Sequence, residues 1–116
     1  MRLIKFMANV IFSDNRKTIS ISLPSYPESE VIMYESLLFG QVSQLNKVVG
    51  DDTDKGLLSL QFIIKDWNFT DENGVKLPVT VENLNKFSVE DITVLLKTVS
   101  DFFTKEAEEK KKSLKN

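Results

Sequence analysis

An α+β fold, an N-terminal β-hairpin packed with a small bundle of three to four α-helices, is what this chain predicts. Three observations carry that expectation. Thr18-Ile19-Ser20-Ile21-Ser22-Leu23 alternates polar and apolar residues with the period of a strand. Leu57, Leu60, Ile64 and Trp67 recur three or four residues apart, the spacing of one helix face. Ile92, Leu95, Leu96, Val99, Phe102 and Phe103 repeat that spacing without a break. At 116 residues the chain has the length of one domain, placed at 1–104, with a charged, fraying tail over 105–116.

The hairpin is expected over residues 3 to 23. Val10 and Phe12 supply its first strand, and Ile19, Ile21 and Leu23 line one face of its second. Ser13-Asp14-Asn15-Arg16 between them has turn chemistry, because Asp and Asn bond their own backbone and tolerate left-handed geometry. Pro24 and Pro27 then end the second strand and impose an extended link through Ser25-Tyr26.

From Ser29 the period changes. Val31, Tyr34, Leu38, Val42, Leu45 and Val49 keep helical spacing, but Gly40 interrupts them at a cost of about 1 kcal/mol against Ala. Two readings follow: one kinked helix, or a short strand at 30–34 and then a helix. Gly50-Asp51-Asp52-Thr53-Asp54 is a loop, with Thr53 or Asp54 placed to cap the helix that runs on to Trp67. Asn73-Gly74 marks a tight turn and Leu77-Pro78-Val79 is extended. Thr80 caps a helical turn ending at Leu84, and Ser88 with Asp91 forms the capping signature of the last helix. Beyond Phe103 the apolar pattern stops: residues 105–116 hold five Lys and three Glu, and Glu106, Glu109 and Lys110 continue a solvated stalk.

Composition narrows the chemistry. The chain has no Cys and no His, which removes disulfides, thiolate catalysis, thiolate zinc sites, the usual triads and the commonest metal ligand. A net charge of −2 gives no general attraction to nucleic acid. Arg2 to Phe12 has a basic, apolar look, but Lys5 and Asn9 interrupt it and no small-residue cleavage site follows, so it does not read as a signal peptide. No apolar run reaches the roughly 20 residues a membrane span needs. The reading is a cytoplasmic, non-enzymatic protein with no cofactor, no metal, no nucleic-acid partner and no membrane.

Candidate sites are few. Asp51, Asp52 and Asp54 lack the later bidentate acid of a calcium loop, and Lys55 follows at once, so a solvated, helix-capping loop is the better reading. Asp71-Glu72-Asn73-Gly74 is explained by its turn. Asn68-Phe69-Thr70 fits a glycosylation sequon but has no secretion signal to give it meaning. Trp67 and Phe69 are either core or an anchor at a partner interface, and Tyr26 and Tyr34 share the ambiguity. Lys110-Lys111-Lys112 lacks an aromatic platform and reads as a solubilising tail.

The stretch from Leu60 to Leu84 resembles a block of small tail-module proteins of long-tailed bacteriophages. There an apolar helix ends in Trp67, an acidic turn with Gly74 follows, then Leu77-Pro78, then Thr80-Val81-Glu82-Asn83-Leu84 opening a final helix. Pro24-Ser25-Tyr26-Pro27 and Tyr34-Glu35-Ser36-Leu37-Leu38-Phe39-Gly40 are similar to what precedes that block, so the likeness covers residues 18 to 104. The family is the phage tail assembly chaperones. The resemblance implies a protein that binds and solubilises the helical tape-measure protein in the host cytoplasm during tail assembly. Many members are made in two lengths by a ribosomal frameshift near the end of the shorter product, where a Lys-rich run such as Lys110-Lys112 fits. The motifs are structural, so no binding residue carries over.

A holding role needs an apolar surface on an acidic, soluble body. Tyr34, Leu38, Phe39, Trp67 and Phe69 are the candidate partner-binding residues, and self-association through the same surface is the expected resting state. The competing function is a structural tail or head–tail connector or terminator subunit retained in the virion.

Overall fold

The computed structural model describes the backbone of residues 8–114 and side chains as far as Lys105. The fold is α+β, in the order β1 (Thr18–Leu23), β2 (Tyr26–Tyr34), α1 (Phe39–Asn46), α2 (Asp52–Ile63), β3 (Ile64–Trp67), α3 (Val81–Leu84) and α4 (Val89–Leu114). The three strands form one antiparallel sheet with β2 in the centre. Direct pairing puts Ile19 with Met33, Ile21 with Val31, and Val31 with Trp67, so these side chains share the inner face. Leu57, Leu60, Ile63, Leu84, Leu95 and Val99 close the core from the helices. No helix among the described residues is long and apolar enough to cross a membrane.

The hairpin lies one strand later than its expected position. Its turn is Pro24-Ser25, joining β1 to β2, whereas among the described residues Ser13–Arg16 joins no pair of strands; residues 3–7 of the expected hairpin lie outside the described residues. Pro24 presets the first corner of that turn. Pro27 sits inside β2, beyond the segment that pairs with β3, where its missing N–H breaks no ladder bond. The register shifts between Ile21 and Leu23, and the side chain of Ser29 mends the gap. Its Oγ accepts from the Leu23 N–H at 2.8 Å and donates to the Tyr26 carbonyl at 2.6 Å.

Residues 29–49 resolve as strand then helix, the second of the two readings. Ser29, Val31 and Met33 are buried while Glu28 and Glu30 are exposed, a period of two that overrides the helical spacing from Val31 to Leu38. Two further expectations are corrected. The helix ends at Ile63, and Ile64–Trp67 is a strand, because this β-branched junction hands the apolar stripe to the sheet beside β2. The cap of α2 is Asp51, not Thr53 or Asp54: its carboxylate accepts the Asp54 N–H at 3.0 Å.

The local signals of the second half stand as read. Thr80 Oγ1 accepts the Asn83 N–H at 3.1 Å and opens α3. Gly74 adopts φ +80° in the Asp71–Val75 turn, where only Gly is unstrained. Ser88 and Asp91 cap α4, with Ser88 Oγ accepting the Asp91 N–H at 3.2 Å and donating to its carboxylate at 3.0 Å. Asp91 is fully buried and also accepts the Ser25 N–H at 3.0 Å, tying the hairpin turn to the start of α4. Backbone helix continues through the charged segment to Leu114. The lysine run Lys110–Lys112 lies outside the residues whose side chains are described.

Candidate partner-binding surface

β2 separates the five candidate residues into two groups. It runs nine residues, roughly 27 Å at about 3.4 Å per step, from Tyr26 at one end to Tyr34 at the other. Trp67 and Phe69 belong to the first end, Tyr34, Leu38 and Phe39 to the second.

At the Tyr26 end the aromatic side chains pack on each other. Phe69 stands edge-on to Tyr26, Trp67 and Phe87 at centroid distances of 5.3, 5.5 and 4.9 Å. Trp67 is 2% exposed, and its indole N–H donates to the Leu77 carbonyl at 2.7 Å. It is therefore a core residue and cannot touch a partner from where it stands, and Phe69 is half-buried against it. A groove of about 520 Å³ opens beside Tyr26 and Phe69. On its wall the Ser29 hydroxyl and the Asn68 amide are already engaged. Asn68 accepts the Glu30 N–H and donates to the Glu28 carbonyl, extending the β2–β3 pairing by a side chain.

At the Tyr34 end the arrangement is open. α1 buries none of its residues; Phe39 is 90% exposed, Leu38 45% and Val42 40%. Leu38 has no side-chain acceptor to cap the helix, so only the return bond forms, from the Leu38 N–H to Gln41 Oε1 at 2.9 Å. Phe39-Gly40-Gln41-Val42-Ser43-Gln44-Leu45-Asn46 carries no charge, so nothing repels an apolar partner there. Leu45 is half-buried on the side of α1 that meets α2, while Phe39 and Val42, with Leu38 at the cap, present apolar side chains to solvent.

Tyr34 belongs to this end but is held differently. It lies on the outer sheet face, and the Arg16 guanidinium sits over its ring, 3.7 Å from the centroid. Arg16 also donates to the Ser36 carbonyl at 2.7 Å and pairs with Asp14 at 2.6 Å. The guanidinium hydrogen bond beside Asp14 lowers its carboxyl from 3.8 to about 2. Tyr34 is thus a partly covered neighbour of the exposed patch, and Leu38 and Phe39 are its open centre. Val42, three residues beyond Phe39 on α1, was not among the candidates although its helical spacing was visible in the sequence.

The acidic stretches serve backbone geometry. Asp71 Oδ1 accepts the N–H groups of Asn73 and Val75 at 2.8 and 3.0 Å. Asp66 pairs with Lys76, whose hydrogen bond holds the Asp66 carboxyl below its ordinary value. Among the described residues no three carboxylates converge as a metal site would require. Comparison with family models, curated proteins and solved structures finds no significant match to this chain.

Proposed function

We propose that this protein is a non-catalytic tail assembly chaperone that binds and solubilises the tape-measure protein in the host cytoplasm. The observation that carries the reading is the uncharged, outward apolar surface of Leu38, Phe39 and Val42 at the start of α1, a helix with no fully buried residue. A tape-measure protein is long and helical, and its apolar stripes need cover until the tube forms around them. An exposed helix face of this kind can pair with such a stripe by side-chain interdigitation alone, which tolerates variation along a repetitive client. The likeness of residues 18–104 to the tail chaperones supports the same assignment.

Affinity purification of the tagged protein from cells expressing its native neighbouring genes, read by mass spectrometry, tests it. The expected result is recovery of a very long, helix-rich protein, with the bait missing from finished particles. Recovery of tube or head-completion subunits, with the bait retained in particles, makes it a structural part and overturns the proposal.

A further inference from the structure

β1 is an edge strand, and its ladder phase shows which backbone groups face outward. The Glu35 N–H donates to the Lys17 carbonyl at 2.9 Å, one step before the Thr18–Tyr34 pair. Antiparallel alternation then points the backbone groups of Ile19 and Ile21 toward Met33 and Val31 on β2. Those of Thr18 and Ser20 point away from the sheet, and among the described residues nothing pairs with them. Thr18–Leu23 contains no charge and no Pro, the residues that normally guard an open edge. Ile19 and Ile21 are only partly buried, so the inner apolar face also stops short at this edge.

The same chain holds a segment that matches what the edge lacks. Val10, Ile11 and Phe12 are 89, 89 and 97% exposed, with the side chains that favour strands. Residues 8–17 form no ladder with β1 of their own chain. Their exit from the domain is fixed, because Arg16 is held by Asp14, the Ser36 carbonyl and the Tyr34 ring.

We propose that the outer edge of β1 accepts, as a fourth strand, the Val10–Phe12 arm of a second copy, the exchange being reciprocal. Pairing satisfies the outward groups of Thr18 and Ser20. Alternation in the added strand sets Val10 and Phe12 on one face, where they continue the row of Ile19 and Ile21 over the core. A two-fold exchange closes on itself and leaves no further open edge at β1. The α1 surface takes no part, so this inference stands apart from the chaperone reading.

Light scattering on the full chain and amide hydrogen exchange test it together. The expected result is a dimer in which Thr18 and Ser20 exchange as slowly as Ile19 and Ile21. Replacing Ile11→Asp and Phe12→Asp together gives a monomer in which Thr18 and Ser20 exchange at least about tenfold faster while Ile19 and Ile21 stay protected. Ser20→Pro removes only an outward N–H, and gives the same monomer with the arm intact. A monomeric wild type overturns the proposal, including one whose Thr18 and Ser20 are protected by its own arm folding back. So does a dimer that survives the Ile11→Asp, Phe12→Asp pair.

Discussion

The two ends of β2 use the same residue types for opposite purposes. At Tyr26, four aromatic rings meet edge to face and the one tryptophan donates its N–H into the backbone. At Tyr34, an aromatic and two aliphatic side chains at the start of α1 face solvent and pack on no ring of the cluster. Burial at the first end stabilises the domain; exposure at the second disfavours solvation and leaves that surface free for a partner. An aromatic residue becomes a binding residue only where the fold withholds neighbours from it.

Substitutions should separate the two ends. Trp67→Ala removes the centre of the aromatic cluster and should destabilise by about 3–5 kcal/mol in denaturant unfolding. Asp91→Ala leaves the Ser25 N–H and the Ser88 hydroxyl without their acceptor, for a loss of about 1–3 kcal/mol by the same measurement. Phe39→Asp should move stability by no more than about 0.5 kcal/mol, since the side chain is exposed. A large loss there would mean that α1 is part of the core and would erase the contrast.

The smallest effect concerns the corner beside Tyr34. The Asp14 carboxyl should titrate near 2 by carbon NMR, and Arg16→Gln should return it toward 3.8. A carboxyl lowered on folding adds stability that is fully present above 3.8 and disappears as pH falls through about 2. Asp14 is exposed, so the contribution to unfolding is slight even though the NMR shift is large.

What was legible in the sequence is what local chemistry decides. The Ser88–Asp91 and Thr80 caps, the Asn73-Gly74 turn and the unbroken stripe from Ile92 to Val99 each depend on neighbours within a few residues. The sheet depends on distant partners. β3 forms because Met33 finds Ile64 and Val31 finds Trp67, and spacing along one segment carries no trace of that pairing. The stripe from Leu57 to Trp67 satisfies a helix as well as a helix followed by a strand, so its last four residues were misassigned. The hairpin moved for a similar reason: the turn residues at 13–16 look stronger than Pro24-Ser25 until β2 supplies the partner.

The candidate surface divides along the same line. Leu38 and Phe39 were named from the apolar stretch 31–49, and the fold leaves both exposed. Trp67 was not separable from them, since burial of its indole depends on Leu77 and Phe87, ten and twenty residues further along the chain. Asp91 was visible as a cap, but its hold on the Ser25 N–H spans 66 residues and only the fold reveals it.

The measurement that tests the central claim most directly is paired capture and unfolding of wild type and Phe39→Asp, each expressed with the native neighbouring genes. The account predicts that wild type retains a long helical client, that the variant loses it, and that their unfolding midpoints, followed by Trp67 fluorescence, coincide. Equal capture by both proteins at equal stability would contradict it, because the open end of β2 would then hold no partner through Phe39.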